Sequence, residues 1–324
     1  MKSWWIRPEP GKTELELREL PVPQPKAGEL LVRVRAASLN RGELIAAIGL
    51  HAKGGDAKPG GGEAAGEIAA LGPGVAGWSV GERVMARARG SFAEYALLDI
   101  REAMRVPDRL SWEQAASVPL VFCVVHDMLY AYGRLAAGEW LLVTGISAGV
   151  GVAALQAAKV IGARVIGTSG SAEKLERLRA LGLDLGIRTR AADFAPRVRE
   201  ATGGGANLIV NNVGGTVFPE CIRALAYEGR LATVGYVDGV LASEIDLDAL
   251  HSNRLELFGV SNKLRSVEKR AETVHGFVRD LLPAFADGRI RPVIDRVFAF
   301  EELPAAKTYM ESNAHLGKIV LTAP

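Results

Sequence analysis

The first chemical feature of the chain is a set of glycines at the end of a short apolar run. Gly145, Gly149 and Gly151 follow Thr144 and open a helix-length segment. In that setting glycines let backbone N–H groups and the helix dipole come close to a pyrophosphate. Ser147, Ala148, Gly149, Val150 and Gly151 are therefore read as the phosphate-binding turn of a dinucleotide site. An NAD site places Asp or Glu about twenty residues further on, to hold the ribose hydroxyls. Here that stretch reads Gly167, Thr168, Ser169, Gly170, Ser171, with Lys174 behind it. A carboxylate would repel a 2′-phosphate, whereas hydroxyls and an ammonium receive it with charge-assisted hydrogen bonds. Ser169, Gly170, Ser171 and Lys174 thus predict NADPH rather than NADH. The plainer reading gives Ser171 a helix-capping role and leaves Lys174 solvated.

Such a turn needs a sheet beneath it, and the pattern supplies one. From about residue 139, short apolar runs alternate with amphipathic segments of helical length, as successive βα units do. Strands are predicted at 140–144, 164–168, 185–188, 207–213, 230–235 and 255–260, and helices at 150–161, 172–181, 194–201, 217–227 and 267–285. Six strands joined by crossovers, with the glycine turn after the first, predict an α/β Rossmann domain with a doubly wound, parallel, six-stranded sheet. Residues 140–158 carry no charge and approach the length of a membrane span, but the glycines divide them into a strand, a turn and a helix.

Before residue 115 the texture changes to alternating runs at 30–35, 67–70 and 83–86, closely punctuated by Pro and Gly. It returns at 293–300 and 318–322 around a helix at 302–311. The expected organisation is a discontinuous β-rich substrate domain, 1–115 with 286–324, around a dinucleotide-binding domain at 116–285.

Composition excludes several classes of function. The 39 basic and 37 acidic residues leave a net charge of +2, with no basic run to track phosphates, so nucleic acid is not an expected partner. The two cysteines, Cys123 and Cys221, are too few for a disulfide framework and are expected as buried free thiols of a reducing compartment. No apolar leader follows Met1, so the expectation is a cytoplasmic protein with no membrane partner.

The turn also resembles the short-chain dehydrogenase fingerprint, but no Tyr here is followed four residues on by Lys. The whole chain instead resembles the medium-chain dehydrogenase/reductase superfamily, in its zinc-independent quinone oxidoreductase and enoyl reductase branch. The landmarks are 37–43, 62–66 running through 72–74 to 81–84, 92–95, 115–119, the glycine turn, 212–215, 229–231 and 317–321. The resemblance implies a GroES-like fold for the β-rich domain. Zinc-dependent members carry Cys in the region where this chain has Ser38, Leu39 and Asn40, His where it has Gly62 and Cys where it has Leu120, so no metal is expected. Hydride would then pass to an already electron-poor acceptor, a quinone or an α,β-unsaturated carbonyl.

By resemblance, Asn40 reaches the nicotinamide and substrate region, and His51 stands at the pocket edge, where a solvated loop histidine is the alternative. The cofactor contacts extend to Arg188, Thr189, Asn212, Gly235, Tyr236, Val260, Ser261 and Lys318. Thr189 replaces a phosphate-contacting Tyr, a role open to Arg188 or Arg190, and Val124 replaces a carboxamide-binding Thr. His126, Asp127 and Tyr130 fall on a helix, with core or surface roles favoured. A small electrophilic acceptor and a homodimer pairing sheet edges at 255–261 are the implied partners. A non-catalytic, crystallin-like or RNA-binding NADPH-binding member is the alternative.

Overall fold

The structure, a computed structural model, describes residues 1–9, 12–44 and 55–323. They form two compact units: Met1–Cys123 with Arg265–Pro324, and Val124–Leu264. The helix Val267–Asp280, expected with the cofactor domain, falls in the first unit.

The first unit opens with β1 (Lys2–Glu9), β2 (Lys12–Glu19), β3 (Glu29–Ser38), β4 (Lys58–Pro59), β5 (Glu63–Leu71), β6 (Arg83–Arg87), β7 (Tyr95–Asp99) and β8 (Met104–Arg105). The second contributes β9 (Trp140–Thr144), β10 (Arg164–Ser169), β11 (Leu185–Arg188), β12 (Ala206–Asn211), β13 (Leu225–Thr233) and β14 (Glu256–Gly259). The chain then returns with β15 (Ile294–Ala299) and β16 (Lys318–Thr322) to the sheet of the first unit, in the order β15-β16-β3-β5-β6-β8, with β7 also on β3. Leu30, Val32, Val34, Ile68, Leu98, Ile319 and Leu321 build the core of this unit, closed by Phe298, Phe300, Leu303 and Met310. β5 starts four residues before the run that alternation picks out at 67–70. Its Glu63, Ala64, Ala65 and Gly66 are weak strand formers, held extended by β3 on one side and β6 on the other.

The second unit carries a six-stranded, all-parallel sheet in the order β11-β10-β9-β12-β13-β14, the doubly wound arrangement expected. Its central strands are buried on both faces, which is why they read as continuous apolar runs. Two expectations are corrected. The crossover from β13 to β14 is the short helix Leu247–Ser252, capped by Asp246 accepting the Ala249 N–H, and the predicted 267–285 helix lies beyond the sheet, as Val267–Asp280 and Leu282–Ala286. The helix Phe218–Ala224 also stops early, and β13 begins at Leu225 beside Ala206. That early pairing depends on Gly205, at φ +133°, where a Cβ would lie 2.5 Å from the Ala226 nitrogen. Among the described residues no helix is long and apolar enough to cross a membrane.

Candidate functional site

In the second unit the C-terminal strand ends are tied together by uncharged groups. The Thr144 hydroxyl donates to Asn211 Oδ1 at 3.0 Å and accepts the Asn212 N–H at 3.1 Å, while Asn212 Nδ2 donates to the Thr144 carbonyl at 3.2 Å. Gly145, at φ +62°, turns the chain and donates its N–H to Thr168 Oγ1 at 3.1 Å. The N–H of Ile146 reaches the Thr168 carbonyl at 3.0 Å. β9, β10 and β12 are thereby locked beneath the glycine turn.

The helix Gly149–Ile161 starts at Ala148, whose side chain makes no capping bond. Ser147, Ala148, Gly149 and Val150 are half-buried around this helix start. No capping side chain competes for the first-turn N–H groups, which with the helix dipole suit a pyrophosphate. Gly151 is fixed by packing, because a Cβ there would lie 2.5 Å from the Ile146 carbonyl oxygen.

At the end of β10, Ser169 Oγ accepts the Ser171 N–H at 3.2 Å, and Ser171 Oγ caps the next helix by accepting the Lys174 N–H at 3.3 Å. Residues Thr168–Ser171 include no carboxylate. Arg190 lies across Gly170: a Cβ on that glycine would stand 2.5 Å from Nε and 2.8 Å from Cζ of the guanidinium. Thr189 is engaged within its own loop. Its hydroxyl donates to Asp193 Oδ1 at 2.6 Å and accepts the Ala191 N–H at 2.9 Å, closing the loop after β11. Arg188 is exposed at the end of β11.

The remaining expected contacts of this unit lie at or just past the ends of β12, β13 and β14, on the same edge of the parallel sheet. Gly235 abuts Asn212, since a Cβ would meet the Asn212 oxygen at 2.9 Å. The Tyr236 carbonyl accepts the Gly239 N–H, and the Val260 N–H reaches the Thr233 carbonyl, both at 3.0 Å. Ser261 is exposed, and its Oγ accepts the Lys263 N–H at 3.2 Å. His126 and Asp127 are buried where the helix Pro119–His126 runs into a π-turn, with the His126 ring stacked on Tyr130 at 5.1 Å.

The first unit holds a buried ionic cluster where three strands begin or end. Glu63, with no exposed surface, accepts at Oε1 from Ser38 Oγ (2.5 Å), Asn40 Nδ2 (3.0 Å) and Lys318 Nζ (2.9 Å), and at Oε2 from the Leu120 N–H (2.8 Å). Lys318 Nζ also donates to the Leu39 carbonyl at 3.0 Å and to Asn40 Oδ1 at 2.8 Å. Its three hydrogens are thus all used inside this unit. Both ends of the Asn40 amide are likewise engaged. Glu43, on the short helix Arg41–Leu44, sends Oε1 to within 3.4 Å of Asn40 Nδ2. His51 lies outside the described residues.

Sequence reasoning assigned no role to Ser38, Glu43 or Glu63. Glu63 had a signal, an acidic residue heading an otherwise small, apolar strand. The donor set around Asn40, Gly62 and Leu120 does not fit zinc, since none of the three supplies a thiolate, imidazole or carboxylate. Among the described residues, no group of three or more His, Cys, Asp or Glu side chains could hold a metal ion.

A parallel six-stranded sheet with its glycine turn at the carboxyl edge, joined in one chain to a second β-rich unit, defines a two-domain dinucleotide-binding protein. Residues 26–108 match the alcohol dehydrogenase GroES-like domain and residues 149–274 the zinc-binding dehydrogenase family. The chain belongs to the medium-chain dehydrogenase/reductase superfamily. It is 33% identical over 330 residues to the spectinabilin polyketide synthase system protein NorB of Streptomyces orinoci, covering 99% of this chain and 14% of that protein. The chain thus spans about one-seventh of that curated relative's length. Among solved structures, mycobacterial Rv1454c complexed with NADPH superposes with a TM-score of 0.87 at 28% identity, covering 99% of both chains. A structure described as a mycobacterial quinone oxidoreductase gives 0.84 at 28% identity, again over 99% of each chain.

Proposed function

We propose that this chain is an NADPH-dependent, zinc-independent oxidoreductase that passes hydride to an electron-poor acceptor, a quinone or an α,β-unsaturated carbonyl compound. The observation that carries the reading is the end of β10. Arg190 lies over Gly170, Ser169 and Ser171 flank it, Lys174 follows, and no carboxylate stands among Thr168–Ser171. A guanidinium and an ammonium there would hold a 2′-phosphate, and the first turn of Gly149–Ile161 would hold the pyrophosphate. Asn212, Gly235, Tyr236, Val260 and Ser261 would border the remainder of the cofactor. Bound NADPH supplies a hydride equivalent. The protein binds and orients the reactants and stabilises the anion formed on the acceptor. A cradle of this kind suits an acceptor activated by its own carbonyl groups, because Asn40, Gly62 and Leu120 supply no thiolate, imidazole or carboxylate to hold a Lewis-acid metal.

The NADPH complex of one structural relative supports the cofactor assignment. A quinone oxidoreductase among the solved relatives supports a quinone as one acceptor class. We further propose a cytoplasmic homodimer formed through β14, the outer strand of the sheet, on which Leu257 is 38% exposed.

The test is NADPH oxidation, followed at the nicotinamide absorbance, against quinones, enones and enoyl thioesters, with NADH and a chelator as controls. Turnover with NADPH that the chelator leaves unchanged is expected. A requirement for added zinc, or equal use of NADH, would contradict the assignment. Asn40→Ala should lower turnover and leave the NADPH Kd unchanged; unaltered kinetics would remove Asn40 from the acceptor side.

A further inference from the structure

Gly170 is a glycine that its own backbone does not require. Its φ lies outside the left-handed region that favours glycine, so a residue with a side chain can adopt the same conformation. What needs the empty space is Arg190. A Cβ at position 170 would stand 2.5 Å from Nε, 2.8 Å from Cζ and 2.9 Å from Cγ of that arginine. The side chain therefore lies along the glycine from Cγ to the guanidinium, and the atoms nearest the missing Cβ all belong to it. Arg190 is exposed, and it makes no hydrogen bond or ion pair among the described residues.

The loop that carries Arg190 is fastened on both sides of it. The Thr189 N–H donates to the Ser169 carbonyl at 3.1 Å, which ties the start of the loop to the strand end beside Gly170. The Thr189 hydroxyl donates to Asp193 Oδ1 at 2.6 Å, so the one carboxylate of residues 189–193 is engaged by a neutral group. Phe194 follows, buried in the core of the second unit. Arg190 is thus held over Gly170 by its loop and by the absence of a side chain, with its charge unmatched.

We propose that Gly170, together with the Thr189–Asp193 bond, sets the choice of NADPH over NADH by laying Arg190 across the end of β10 before the cofactor arrives. This rests on the NADPH reading above. A strand end without a carboxylate merely tolerates a 2′-phosphate, whereas a guanidinium already in place selects it. An arginine on a loose loop would lose rotamer freedom on meeting the phosphate, and one fixed in advance loses little. NADH carries a hydroxyl at that carbon and gains no charge-assisted pair with the guanidinium. Gly170, Thr189 and Asp193 are positioning residues, acting on the phosphate through Arg190.

The experiment measures NADPH and NADH Kd by fluorescence titration, with a thermal melt, for wild type, Gly170→Ala, Thr189→Val, Arg190→Ala and the Gly170→Ala/Arg190→Ala double variant. Gly170→Ala should weaken NADPH binding about fivefold by displacing Arg190, with NADH Kd and melt unchanged. The group in its way is the movable end of a side chain rather than backbone. Thr189→Val should weaken NADPH about twofold with the same selectivity, since it frees the loop and keeps its bulk. The double variant should bind NADPH no more weakly than Arg190→Ala alone, because the two changes act through one side chain. Gly170→Ala that keeps the wild-type NADPH preference, weakens both cofactors equally, or adds its full loss to that of Arg190→Ala overturns the proposal and leaves the NADPH reading standing. A wild type that binds the two cofactors alike overturns that reading, and the proposal with it.

Discussion

The carboxyl edge of the second unit and the ionic cluster of the first are both built where strands end, yet they use polar groups in opposite ways. Around Thr144, Asn211 and Asn212 the hydrogen bonds join neutral amides and a hydroxyl, and no side chain caps the helix start beside them. Around Glu63 a full negative charge is matched by an ammonium, a hydroxyl, an amide and a backbone N–H, and nothing is left over. The first arrangement suits a surface that must receive an anion, because a fixed carboxylate would repel it and a fixed cap would occupy its donors. The second suits a rigid joint, because a buried pair with every hydrogen bond made resists rearrangement.

The sharpest way to break this contrast is to remove the ammonium. Lys318→Met should cost about 3–5 kcal/mol in urea denaturation by leaving Glu63 buried and unmatched, and a Lys318→Met/Glu63→Gln double variant should recover much of it. A loss below about 1 kcal/mol would mean that water reaches Glu63 and that the joint is not closed. Next in size is Gly151→Val in the neutral region. Overpacking against Ile146 should cost about 1–3 kcal/mol and weaken NADPH binding, read by thermal melting and fluorescence titration. Full NADPH affinity in that variant would separate the turn from cofactor binding. The smallest effect concerns the cofactor's phosphate. Arg190→Ala should lower NADPH affinity about tenfold and leave NADH affinity unchanged, since one charge-assisted hydrogen bond contributes about 1.5–3 kcal/mol. Lys174→Ala should do the same to a lesser degree, and equal losses for both cofactors would displace the phosphate from this corner.

What could be read in the sequence follows from how local each feature is. The six strands and the glycine turn showed because each βα unit carries its own apolar period and the turn lies beside its strand. Leu247–Ser252 escaped because it buries no residue and so has no apolar stripe to reveal it. The bond from Thr189 to Asp193, four residues on, went unseen because side-chain direction within a loop leaves no pattern. The Glu63 cluster was invisible for a different reason. Its partners lie 25, 23, 57 and 255 residues away in the chain, and only the assembled sheet brings them together. Lys318 was noticed only as part of a landmark, and its bonds to Asn40 and Glu63 were not foreseen.

The return of β16 to the sheet of the first unit also bears on how the protein is made. At about 5–20 residues per second, the 255 residues that separate Glu63 from Lys318 take roughly 13–50 seconds to synthesise. Throughout that interval the Glu63 carboxylate has no ammonium, and Ala36, Ala37 and Ser38 of β3 have no partner in β16. The second unit draws on one continuous stretch of chain and can close while the ribosome is still at work. On a nascent chain the order of completion is therefore the reverse of the order of emergence, with β3 and β5 waiting for β16 long after they have themselves left the ribosome.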